Sequence, residues 1–202
     1  AWAQQQQHRR PDNPYRNIVM KVGEQPAPVP GEKVIPLPHK QTTAATEVLI
    51  GETMFDLQTN STAQRRIYVY PDGTIGATWT MGFESASWSD RGTGYNYYNG
   101  VAWGSFPTIR IENTKTGWPG YAAWGSGGEL VVAHTGTSNG LALNKCQTKG
   151  SGLWMQTYRP GPATHPNILW PRVMTSGANH DSIHIIALTA PVANGGTVYN
   201  GM

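Results

Sequence analysis

Cysteine is almost missing from this chain. Cys146 stands alone among 202 residues, which excludes an internal disulfide and any paired-cysteine metal site. Charged side chains make up only 13%, about half the usual share. That scarcity, with many helix breakers, excludes a coiled coil, a helical bundle and a charged disordered tail. No run of 18 apolar residues exists, so no membrane-spanning helix is expected. The net charge of +3 comes from 15 basic against 12 acidic residues. Much of the excess falls in the first 40 residues, so the chain lacks a nucleic-acid footprint. Neither GxxxxGK[ST] nor GxGxxG precedes a helix, and neither a nucleotide nor any other cofactor is expected.

What the chain has in abundance is Gly (24), Pro (15), Trp (8) and Tyr (9). This profile fits an all-β, turn-rich, aromatic protein. Ala1-Trp2-Ala3-Gln4 reads either as the small-x-small end of a secretory signal peptide or as an ordinary tripeptide. Residues 1–45 read as a signal remnant and an extended arm. Gln4–Gln7 is of low complexity, and Pro11, Pro14, Pro26, Pro28, Pro30, Pro36 and Pro38 oppose helix. The arm is either a linker or a strap that docks on a neighbour.

An internal repeat organises residues 46–202. Three segments share one grammar: an apolar strand, a tight turn, and a second strand rich in Val, Ile and Ala. They begin at Arg66, Pro119 and Pro171, 53 and 52 residues apart, and close on Thr80, Thr135 and Thr189, 55 and 54 apart. The turns are Pro71-Asp72-Gly73, Gly125-Ser126-Gly127-Gly128 and Ala178-Asn179-His180-Asp181. Small residues, as in Ile75-Gly76-Ala77, suit strands that pack in crowded surroundings. A four-stranded unit repeating every 50-odd residues is the arithmetic of a β-propeller blade. The expected repeats lie near 46–112, 113–165 and 166–202, about two and a half blades.

The pattern resembles the sialidase-like β-propellers, whose blades carry an Asp-box hairpin, S-x-D-x-G-x-T-W. Asp90-Arg91-Gly92-Thr93-Gly94-Tyr95 matches that box in Asp90, Gly92, Gly94 and the aromatic Tyr95, with Trp88 in the Ser position. Gly150-Ser151-Gly152-Leu153-Trp154 is a more degenerate copy without its Asp. More narrowly, the chain is similar to secreted propellers of Bacteroidota. The resemblance implies six blades when complete, which at this period need over 300 residues. It implies an N-terminal fragment, completed by the remaining blades or by another chain. It also implies a secreted, extracellular or outer-membrane-surface location.

A sialidase-like site holds its substrate carboxylate with arginines, since the guanidinium fork matches a carboxylate bidentately. By resemblance, Arg66 in Arg66-Ile67-Tyr68 takes the place of the first such arginine, although the family's Pro is absent. Arg172 stands at the matching place of the third repeat. The alternative is that Arg65, Arg66 and Arg172 only solubilise strand starts. Glu84 is the acid/base candidate, because Asp90 reads as the structural Asp-box carboxylate that caps turn N–H groups. The family's Tyr/Glu nucleophile pair comes from late blades. This chain is therefore expected to bind a glycan or a protein at the cell surface without complete catalysis. A glycoside hydrolase of exo-sialidase type and a surface scaffold are the alternatives. Arg65, Tyr95, Tyr97 and Trp103 are candidate ligand contacts, because aromatic faces stack on pyranose rings. His180 and His184 are too far apart on a strand to chelate one ion, so a metal is not expected. Asn60-Ser61-Thr62 fits a glycosylation sequon or a plain turn, and Cys146 reads as a buried thiol.

Overall fold

The computed structural model divides the chain into two units, Ala1–Thr46 and Glu47–Met202. The structure describes residues 47–59, 64–84 and 86–194. The Ala1-Trp2-Ala3 junction, the proline-rich arm, the Asn60-Ser61-Thr62 sequon and the final Thr197–Met202 stretch lie outside the described residues.

The described residues are all-β, with no α-helix among them. The first sheet joins β1 (Ile67–Val69), β2 (Ile75–Met81) and β3 (Gly92–Tyr98) in that order. The second is a four-stranded meander of β4 (Gly117–Trp124), β5 (Gly128–His134), β6 (Leu141–Cys146) and β7 (Trp154–Arg159). The third is the hairpin β8 (Ile168–Ser176) with β9 (Ser182–Thr189). Within the three sheets every pair of neighbouring strands is antiparallel. The four-strand expectation is met in the second repeat. In the first, residues 99–116 contribute only a single bridge, Tyr98 to Trp103.

The second sheet is covered on both faces, which is why β5 is buried along its whole length. The alternation of β5 sorts its side chains. Leu130 and Val132 join Leu141, Leu143 and Val173 in a core toward the third sheet. Val131 joins Tyr70, Tyr121 and Ala123 in a second core toward the first sheet. The sheets approach closely because small residues sit where they meet. A Cβ at Gly120 would stand 2.9 Å from Val173 Cγ1, and one at Gly76 would overlap the Tyr121 hydroxyl.

Two repeats start with the same irregularity. Trp118 and Trp170 each precede a proline and each hold a left-handed φ, 51° and 52°. The ladders slip at the same places, between Gly117 and Gly120 and between Leu169 and Arg172. A residue before proline is barred from ordinary helical backbone, and a bulky left-handed residue costs about 1–3 kcal/mol. His134 ties the two bulges together. Its ring stacks on Trp118 at 5.1 Å, and its Nδ1 accepts the Trp170 N–H at 3.1 Å. Burial, with a smaller contribution from the Arg91 charge, pushes His134 down to about 3, so the imidazole is neutral. Arg91 lies over both Phe55 and Trp118, at 5.1 and 5.0 Å, and extends the stack.

Candidate functional site

Arg66 enters the first sheet just before β1. Its carbonyl accepts the Thr78 N–H at 2.8 Å, which fixes the backbone and leaves the side chain to turn inward. The guanidinium donates from Nη1 to Gln58 Oε1 at 2.7 Å. Gln58 is itself locked: its Oε1 accepts the Thr80 N–H at 2.9 Å, and its Nε2 donates to Thr80 O at 2.8 Å and Phe55 O at 2.7 Å. The Gln58 amide thus pairs with Thr80 as a strand's peptide group would.

The rest of the Arg66 guanidinium is unsatisfied. Nε and Nη2 are buried and have no hydrogen-bond partner. Both side-chain polar atoms of Gln64, a residue only 6% exposed, and Thr80 Oγ1 are in the same condition. Continuing the β1–β2 register past Arg66 and Thr78 sets Gln64 across from Thr80. Buried polar groups without partners are rare and mark places that take water, an ion or a ligand. Desolvation, with repulsion from Arg172, pulls Arg66 down to about 10. Arg172 is lowered by burial, and its Nη1 donates to Trp170 O at 3.1 Å and Pro171 O at 3.3 Å. The structure thus brings the two arginines from the first and third repeats within electrostatic reach. The two open N–H donors of Arg66, with a second positive charge in reach, suit a carboxylate or similar oxyanion.

The carboxylates of the β2–β3 loop are occupied within the loop. Asp90 accepts the N–H groups of Phe83 at 2.6 Å and Glu84 at 3.2 Å. Glu84 is exposed and takes the Ser89 hydroxyl. Gly92, Gly94 and Tyr95 lie inside β3. Trp79 explains one of them: its indole Nε1 would sit 2.6 Å from a Cβ at Gly94. A cavity of about 310 Å³ lies at the inner hairpin turns, and another of about 450 Å³ is lined by Asp90, Arg110 and Glu112. Burial pushes the Glu112 carboxyl up, and both its oxygens are engaged by Thr93, at 2.8 Å from N and 2.5 Å from Oγ1.

Tyr95 belongs to a different arrangement. Its hydroxyl donates to Glu129 at 2.8 Å, Tyr121 donates to Glu129 at 2.6 Å, and the Gly150 N–H does so at 3.1 Å. Glu129 and Tyr121 are fully buried. Burial raises the Glu129 carboxyl, and burial with the nearby carboxylate raises both tyrosines. This network stitches the first sheet to the second. Tyr97 packs on Gly150, and Trp103 lies 5.7 Å from Tyr98. Arg65 is exposed, its guanidinium 6.0 Å from the Tyr68 ring.

Gln58 and Gln64 escaped the sequence reading. The signal for Gln64 was its place two residues before Arg66, on the same side of an extended run; Gln58 carried none. No cluster of His, Cys, Asp and Glu able to hold a metal occurs among the described residues, and no helix there is long and apolar enough to cross a membrane. No family model, curated protein or solved structure matches the chain.

Proposed function

We propose that this chain is part of a sialidase-like β-propeller displayed outside the cell, and that Arg66 and Arg172 give it a binding site for a carboxylate-bearing glycan. One observation carries the ligand class: the buried, unpartnered Nε and Nη2 of Arg66, whose guanidinium also feels the charge of Arg172. A neutral ligand would leave that charge unmatched, whereas a carboxylate supplies acceptors for both N–H groups.

The propeller reading is supported by three sheets stacking in chain order, each opening with an equivalent hairpin. It is supported also by Met174, Ile186 and Leu188, exposed apolar side chains of the third sheet that a further blade or a second chain would cover. The reading of binding without turnover is supported by the burial of the Glu129–Tyr121 pair, which no substrate reaches. The extracellular address rests on the composition, rich in Trp, Tyr and Gly and nearly free of Cys.

An array of acidic and neutral glycans, run beside a fluorogenic sialoside, tests this function. Retention of acidic glycans, lost in Arg66→Ala and without turnover, is expected. Turnover that vanishes in Arg66→Ala would instead make the chain part of an exo-sialidase-type hydrolase. A blank array would leave a scaffold as the better reading.

A further inference from the structure

The geometry points to a second binding site, for a neutral hexopyranoside, in the cleft where the three inner hairpin turns meet. This cleft lies beyond the opposite end of β1 from Arg66 and does not depend on the arginine pair. Its volume is about 310 Å³, and it takes one turn from each sheet: the β1–β2 turn at Asp72, the β4–β5 turn at 125–128, and the β8–β9 turn at His180. Lys149, from the β6–β7 loop, closes one side. The size is at the lower end of the range for small-molecule sites, which suits a single sugar ring.

Aromatic rings form the wall. Tyr68 lies 4.8 Å from Tyr70 and 6.2 Å from His180, edge to face in both cases. Lys149 covers the Tyr70 ring at 4.2 Å, so the half-buried Tyr68 and His180 provide the ring surface left for a ligand. His180 holds a left-handed φ of 52° in a turn where Gly177 already supplies one of 91°. An imidazole in that conformation is costly, and its ring lands on the cleft. The floor is open: nothing lies within 4 Å of where a Cβ on Gly125 or Gly127 would stand.

The polar groups match a sugar rather than an ion. Asp72 and Lys149 form an ion pair, so an acceptor-only group sits beside a donor-only group with no net charge. Neighbouring hydroxyls of a pyranose donate to the first and accept from the second, while an apolar ring face lies against Tyr68. The Asp72 carboxyl is held at about 2 by its hydrogen bonds from Lys149 and then Thr74, so it stays an acceptor throughout the neutral range.

The test is saturation-transfer NMR and calorimetry on the whole chain with the methyl glycosides of glucose, galactose and mannose. Binding of at least one, with a Kd on the order of 1 mM, is expected. Saturation should be strongest on protons of one ring face. Asp72→Ala, on an exposed turn, and Tyr68→Leu should each weaken binding about tenfold. Arg66→Ala should leave it unchanged. The proposal is overturned if none of the three glycosides binds at about 20 mM, or if both cleft variants bind as well as the parent. It is equally overturned if Arg66→Ala removes binding while Asp72→Ala does not, which would assign the sugar to the arginine end.

Discussion

Gly76→Ala is the perturbation that most sharply probes how the first two sheets meet. Gly76 pairs with Tyr68 and Tyr97 in the middle of the first sheet, and the Tyr121 side chain of the second sheet stands against it. An added Cβ would overlap the Tyr121 hydroxyl and Cζ and come within 2.8 Å of Cε1. Tyr121 is fully buried, so it has little room to retreat. Overpacking of this kind costs about 1–3 kcal/mol. Moving the hydroxyl also weakens its 2.6 Å bond to Glu129, a bond to a charged group, and its 2.9 Å bond to Tyr70. Such a charge-assisted bond contributes about 1.5–3 kcal/mol, so a total loss of about 4 kcal/mol is expected. Urea unfolding followed by tryptophan fluorescence measures it. Gly127→Ala is the control: a Cβ there meets nothing within 4 Å, and a change inside about 0.5 kcal/mol is expected. Adding Tyr121→Phe to Gly76→Ala should rescue only part of the loss, because the ring carbons still collide. A Gly76→Ala protein as stable as the parent would refute the close approach of the two sheets.

Three further outcomes follow from the same contacts. His134 falls from 6.5 to about 3 on folding, so the unfolded chain binds the proton more tightly. Stability should therefore drop as pH falls from about 6.5 toward 3, with a slope approaching 1.4 kcal/mol per pH unit. His134→Gln should flatten the curve in urea titrations between those pH values, and parallel curves would contradict the assignment. Glu129→Gln should cost about 2 kcal/mol and Tyr95→Phe about 1 kcal/mol, read from urea midpoints, since the carboxylate accepts three donors and the tyrosine supplies one of them. Cys146 is fully buried, with Sγ at 3.1 Å from Thr148 O. It should resist a thiol reagent in the native protein and react fully in urea, while rapid native labelling would show that the second sheet opens easily.

The inner hairpins were legible because their signals are local. Segments starting at Arg66, Pro119 and Pro171 correspond to β1–β2, β4–β5 and β8–β9, displaced by up to three residues at the starts. Apolar runs, Gly-rich turns and a fixed period suffice for that. Trp118-Pro119 and Trp170-Pro171 stand at equivalent places in their repeats, and the structure gives each tryptophan the same left-handed bulge. The Glu129 network had no such signal, because Tyr95, Tyr121 and Gly150 meet only through register and sheet stacking. In a strand otherwise of Gly, Leu, Val and Ala, Glu129 and His134 are the residues whose chemistry conflicts with burial, and for Glu129 that conflict was the available clue. The Asp-box resemblance assigned Asp90 to capping turn N–H groups, and in the structure its carboxylate accepts those of Phe83 and Glu84, while Gly92, Gly94 and Tyr95 run on into β3. Arg66 came from the resemblance, and Arg172 from its matching place in the third repeat. The unsatisfied surroundings of Arg66, with Gln64 and Thr80, depend on which atoms the fold leaves without partners, and no spacing rule reports that.

The charge requirement at Arg66 is the centre of the account, and calorimetry with N-acetylneuraminic acid and its methyl ester measures it most directly. The two ligands differ in one negative charge and little else. The acid should bind, the ester should be weaker by about tenfold or more, and Arg66→Ala and Arg172→Ala should each remove the preference for the acid. Equal affinity for acid and ester, or a preference that survives Arg66→Ala, would contradict it.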